Sequence, residues 1–237
     1  MSFDPFGGRR QIPLMDRDLH HVGPPRISFS GTEVFHLAVS VVVLSYAFSI
    51  LFAGDGGGDG PGGLDRMALV PEPLALLSAF VAVASGFVLH ELAHKIVAQR
   101  YGHWAEFRAH FPGLGISLLI AAFFHILFAA PGAVVIQGRM TPRENGLISL
   151  VGPGTNFVVA AACLPFFAFK VNADGFATTL FGTVASINAL LAVFNLLPFG
   201  PFDGRKVLRW NVPVYIATAV LCVALFIFCL MQGAFPS

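Results

Sequence analysis

Histidine 90, glutamate 91 and histidine 94 stand within about one helical turn of each other in the apolar stretch FVLHELAHKI, residues 87 to 96. On a helix, residues i and i+4 share a face, so the two imidazoles can meet one ion while Glu91 is turned to the flank. This is the H-E-x-x-H spacing of zinc hydrolases, in which the glutamate is the general base for the attacking water. Three ionisable groups inside one apolar helix are costly, which favours function over a structural pair of hydrogen-bonding histidines.

A catalytic zinc usually takes three protein ligands and keeps a further position open. The longer motif that would add a third histidine is absent, because Val97 and Arg100 stand where Gly and His are required. Glu33, Glu72, Glu106 and Glu144 are read as lying in or beside loops. Asp203, by contrast, closes the long apolar run INALLAVFNLLPFGPFDG and is the expected third ligand. Pro198 and Pro201 cannot continue a helix, so the run is expected to unwind near the metal. Asn195 is a polar amide in the same run. It either orients the unwound backbone, binds a substrate carbonyl, or makes a structural interhelical hydrogen bond.

The elements that must position these groups lie in a membrane. Of the 237 residues, 56% are hydrophobic and 11% charged, with a mean hydropathy of +0.76, far below the roughly 25% charged residues of ordinary soluble domains. The net charge of +1 gives no basic excess to suggest a nucleic-acid partner. Cys163, Cys222 and Cys229 read as small buried hydrophobes. Residues 1 to 30 read as a poorly ordered cytoplasmic tail, followed by a single membrane-embedded domain over 31 to 237 with its catalytic core at about 73 to 210. Apolar runs at 34 to 53, 73 to 100, 113 to 136, 147 to 169, 177 to 199 and 212 to 232 are long enough to enter or cross the hydrocarbon. The glycine-rich GDGGGDGPGGLD, with Asp55 and Asp59, reads as a linker rather than a calcium loop. His125 reads as an interhelical hydrogen-bonding residue.

Basic residues concentrate on the cytoplasmic side of membrane proteins. If 113 to 130 were a full span, Arg205, Lys206 and Arg209 would fall outside. If it dips in as a helix and PGAVVIQG returns extended, these three return inside with Arg139 and Arg143, leaving outside only Arg66 and Lys170 of fourteen basic residues. The expected fold is therefore an all-α polytopic membrane protein. It has about five full transmembrane helices, a further helix and a re-entrant extended segment, and room for a small β element. Extended backbone at membrane depth must be covered by protein or line a wet cavity, so a cavity is expected beside PGAVV.

Taken together, the motifs resemble the site-2 protease family of intramembrane zinc metalloproteases, in its compact archaeal-like form without a PDZ domain. Its H-E-x-x-H signature stands here as HELAH, and its N-x-x-P-x-x-x-L-D-G signature as NLLPFGPFDG, with Phe202 in place of leucine. GPGTN at 152 to 156 and PGAVV at 131 to 135 resemble two further family segments. The resemblance implies one zinc ion held by His90, His94 and Asp203, with Glu91 as catalytic acid and base. It implies accessory roles for Asn195 and Asn156, and a strand at Gly132, Ala133 and Val134 that binds an unwound transmembrane substrate by its edge. The implied activity is intramembrane endopeptidase cleavage by zinc-activated water, with the active site toward the cytoplasmic side of a prokaryotic cell membrane. The implied partners are a transmembrane protein or peptide and the lipid bilayer. A metal-ion transporter and a proteolytically inactive zinc-binding scaffold are the competing readings. Nothing in the sequence sets the oligomeric state.

Overall fold

The computed structural model describes residues 27 to 53, 73 to 124, 131 to 169 and 175 to 233. The readings of the tail before residue 27, of Asp55, Asp59, Arg66 and Glu72, and of His125 and Lys170 lie outside the described residues.

Among the described residues, five helical segments are long and apolar enough to cross a bilayer, which makes this a multi-pass membrane protein. The first is helix α1 (Gly31–Ala53). The second is composite: α2 (Pro73–Val83), a π-helical turn (Ala84–Val88) and α3 (Leu89–Arg100), which carries HELAH. Strand β1 (Trp104–Ala109), helix α4 (Phe111–Phe124) and strand β2 (Gly132–Gln137) follow. The remaining spans are α5 (Pro142–Ala168), α6 (Gly175–Asn195) and α8 (Val212–Met231), with the short α7 (Asp203–Trp210) before the last.

The segment 104 to 137 is a re-entrant excursion. β1 and β2 pair antiparallel, Trp104 opposite Gln137 through Ala109 opposite Gly132, so the chain returns to where it left. The backbone N–H of His110 donates to Pro131 O at 2.9 Å and continues the pairing one step beyond Ala109 and Gly132. The β2 segment is extended, as PGAVV led us to expect. The partner strand β1 has no such signal in the sequence, because six residues with Glu106 and Arg108 among them carry no apolar alternation strong enough to mark a strand.

Small residues let the helices approach closely: Ala79, Ala82, Ala185, Ala189 and Ala192 are fully buried. One core joins Val41, Leu44 and Phe48 of α1 to Val83, Phe107, Leu114 and Ile187. A second joins Ala160 and Leu164 of α5 to Ala185, Ala189 and Cys229. α8 turns Ile216, Val220, Leu221 and Ile227 outward, as a helix against lipid does.

Contacts between span ends give the topology. His94, in the last two turns of the second span, meets Ile148 in the first two turns of α5, Lys95 meets Glu33 at the start of α1, Asp203 after α6 meets His94, and Tyr215 at the start of α8 meets Leu196 just past α6. The starts of α1, α5 and α8 and the ends of α3 and α6 therefore share one face of the molecule. α6 ends at Asn195, and residues 196 to 202 are irregular, as Pro198 and Pro201 require.

The start of α5 is defined by a capping box. Thr141 Oγ1 accepts from Glu144 N at 3.2 Å, and Glu144 Oε2 accepts from Thr141 N at 2.7 Å. Thr141→Ala removes half of that cap and is expected to destabilise the protein by about 1 kcal/mol, read as a lowered thermal midpoint in detergent.

Candidate metal centre

α3 places His90 and His94 on one face, and the unwound chain after α6 brings Asp203, at the first position of α7, to the same point. Their ligand atoms all lie within 4.8 Å of one another, and all three residues are buried. His94 Nε2 stands 3.0 Å from His90 Nε2. Asp203 Oδ2 stands 2.9 Å from His94 Nε2 and 3.4 Å from His90 Nε2.

Hydrogen bonds on the far side of each ring settle the tautomers. His94 Nδ1 lies 2.6 Å from Ile148 O, a backbone carbonyl that can only accept. His90 Nδ1 lies 2.6 Å from Asn156 Oδ1, while Asn156 Nδ2 donates to Gly86 O at 2.8 Å and Asn188 Oδ1 at 3.0 Å. Both Nδ1 atoms therefore carry the proton in the neutral rings, and both Nε2 atoms present lone pairs toward Asp203 Oδ2. Two imidazole lone pairs and a carboxylate oxygen converging in this way suit a divalent cation, and the donor set is one that zinc takes. Outer partners that fix ring orientation are characteristic of such sites.

The second Asp203 oxygen is held by Lys206 Nζ at 3.1 Å. Burial alone would raise the Asp203 carboxyl. Protons on the facing Nε2 atoms of His94 and His90, whose place a cation would take in the ligating tautomer, together with Lys206 more than offset this and hold the carboxyl well below the usual carboxylate range, so Asp203 is ionised at neutral pH.

Gly152 of α5 lies against both imidazoles. A Cβ there would stand 2.6 Å from Cε1 of each ring, so only glycine lets α5 approach this closely. Glu91 is turned aside from the ligand face, and its Oε2 accepts from Val134 N at 3.2 Å. Of the strand residues singled out, Val134 thus touches the motif. Gly132 and Ala133 pair with Ala109 and Arg108, and Gly132 has a φ of 145°, which favours glycine. Asn195 donates to Leu191 O at 3.0 Å within its own helix.

The sequence reading missed Asn188, which links Asn156 to Val184 O and Ser85 Oγ, and the π turn, whose Gly86 carbonyl Asn156 uses. A π turn loosens the regular carbonyl pattern and often marks a functional site. The available signal was Asn188 itself, a polar amide in an apolar span. Glu33, read as a loop-edge residue, is fully buried in the first turn of α1.

The fold and site thus define a multi-pass membrane protein with a buried cluster of two histidines and one aspartate that could hold a metal ion. No family model matches the chain, and no solved structure does. Over 185 residues it is 38% identical to the Methanocaldococcus jannaschii protein named "Putative zinc metalloprotease MJ0611", covering 77% of this chain and 86% of that one. It is 30% identical over 174 residues to the Bacillus subtilis protein named "Putative zinc metalloprotease YwhC", covering 63% of this chain and 75% of the relative. A third relative, "Zinc metalloprotease MJ0392" of M. jannaschii, is 30% identical over 132 residues, 55% of this chain and 33% of its own. The chain belongs to the site-2 protease family of zinc metalloproteases.

Removing Asn156 as Asn156→Ala is expected to weaken zinc binding roughly 10- to 100-fold, as loss of an outer partner of a metal-ligating histidine does. Asp203→Ala should weaken it further, and Gly152→Val should expel the metal by crowding both rings. Zinc content by elemental analysis and competition with a chelator measure all three.

Proposed function

We propose that the protein is an intramembrane zinc metalloendopeptidase that hydrolyses a peptide bond in or near a transmembrane segment of a membrane protein. In this reading His90, His94 and Asp203 hold one zinc ion, and Glu91 is the general base and then acid. The observation that carries it is the edge of β2 beside Glu91. Phe107 and Val134 are opposite each other in the ladder, yet each turns its N–H outward, to Glu33 Oε1 at 3.0 Å and Glu91 Oε2 at 3.2 Å. That is the behaviour of a non-hydrogen-bonded antiparallel pair. By the two-residue period, the outward-facing backbone groups of Gly132, Val134 and Ile136 lie along one edge of a two-stranded sheet, next to the ligand helix.

An extended peptide added to that edge would be held by main-chain hydrogen bonds. A transmembrane helix must unwind locally to bind so, since its own carbonyls are otherwise occupied. Zinc, when bound, supplies Lewis acidity that polarises the scissile carbonyl and makes water a stronger acid. Glu91 takes the proton from the attacking water and delivers it to the leaving amine. To do so its carboxylate must exchange the Val134 N–H for water, and an incoming strand competes for the same N–H. Asn156 and the Ile148 carbonyl keep the imidazoles in the ligating tautomer. Among the described residues there is one cluster of three such ligands, whereas ion transport would need further polar groups along a path.

In this reading the site faces the cytoplasmic side of a prokaryotic cell membrane. Arg100, Arg139, Arg143, Arg205, Lys206 and Arg209 lie in or beside the span ends that share its face, as the positive-inside rule requires.

Glu91→Gln should keep zinc stoichiometry and lower cleavage of a transmembrane substrate in liposomes by roughly 10²- to 10⁴-fold, the range for loss of a general base. Cleavage at the wild-type rate would remove Glu91 from the mechanism.

A further inference from the structure

One turn beyond Glu91 on α3, next in sequence to the ligand His94, stands Lys95, fully buried. Its Nζ is paired with Glu33 Oε2, and it lies 3.9 Å from the centroid of the Phe29 ring. Glu33, also fully buried, uses its other oxygen to accept from Phe107 N at 3.0 Å. Phe107 is the cross-strand partner of Val134, whose N–H meets Glu91. These contacts form a closed ring: from Lys95 to Glu33 of α1, to Phe107 of β1, across the ladder to Val134 of β2, and back to α3 at Glu91. Its two ends rest on residues i and i+4 of the helix that carries the histidines.

A buried ion pair is a poor route to stability, since apolar residues of similar volume usually serve as well or better. This pair does something apolar residues cannot. It supplies an acceptor to a strand N–H in hydrocarbon, and it refers the height of the sheet to α3 itself. A second tie is independent of it: Gln99 Nε2 donates to Ala105 O at 3.0 Å, and Gln99 Oε1 accepts from Ser28 N at 3.2 Å. Loss of Glu33 therefore leaves β1 held near its two ends, by Gln99 at Ala105 and by His36 Nδ1, which accepts from Ala109 N at 3.3 Å, and unsupported at Phe107 between them.

We propose that Glu33, neutralised by Lys95, is a positioning residue that sets the register of the β2 edge against Glu91 and the metal centre, so that α1 takes part in substrate binding. The proposal rests on the proteolytic reading above and on the β2 edge as the substrate platform.

The full-length protein, reconstituted with zinc in liposomes, tests it with two double variants that both remove the buried charges. Glu33→Gln with Lys95→Met keeps an amide oxygen for the Phe107 N–H. Glu33→Leu with Lys95→Met removes it. Loss of one hydrogen bond that positions substrate is expected to raise KM roughly 10-fold in the leucine variant with kcat within about 3-fold, while the glutamine variant stays within about 3-fold of wild type in both. Zinc content should match wild type in each, and amide hydrogen exchange over residues 132 to 137 should accelerate only in the leucine variant. Equal KM values in the two variants, or unchanged exchange at 132 to 137, would overturn the proposal. Should the leucine variant not fold, Glu33→Asp keeps the charge on a shorter side chain, and an unchanged KM and exchange rate there overturn it equally. A wild-type protein that cleaves no transmembrane peptide would refute the proteolytic reading alone, and the exchange comparison would still decide whether Glu33 holds the strand.

Discussion

Each imidazole of α3 has a second ring nitrogen, and in a membrane interior that nitrogen must find an acceptor within the protein. Much of the α3–α5 interface follows from this requirement. Asn156 Oδ1 and the Ile148 carbonyl come within 2.6 Å of the two Nδ1 atoms. That distance is reached only because Gly152 has no side chain to strike the rings. Asn156 in turn must spend its amide protons, which draws in Asn188 of α6 and the carbonyl of Gly86 in the π turn. Three spans are thus registered against one another by the needs of two histidines.

The same rule governs the irregular backbone. Strand edges and unwound segments are costly in hydrocarbon unless their N–H groups have partners, and at the centre of this sheet the partners are carboxylates. Glu33 and Glu91 each accept from one residue of the Phe107 and Val134 pair. The sheet is therefore suspended between a structural carboxylate on α1 and the proposed catalytic one on α3. The unwound stretch after α6 is fastened similarly, by Tyr215 donating its hydroxyl proton to Leu196 O at 3.1 Å. These fastenings let non-helical backbone lie beside a metal centre, where a peptide substrate and water would have to meet.

The sequence by itself determined the spans, because twenty-residue apolar runs can satisfy their backbones in a bilayer only as helices. It determined that 113 to 138 must turn back, since the basic residues otherwise fall on both sides. It also determined that His90 and His94 share a face, because the helical repeat leaves no choice at i and i+4. Tertiary structure decided what has no local signature. That α5 approaches closely enough to orient both imidazoles depends on an interhelical packing that neither segment encodes alone. β1 exists only because β2 is there to pair with it. Glu33, read as a loop-edge acid, and Lys95 stand 62 positions apart, and neither stretch of sequence points to the other. Only the packing of α1 on α3 makes them a buried pair, since a charge that finds its partner across the fold leaves no periodicity in either stretch of chain.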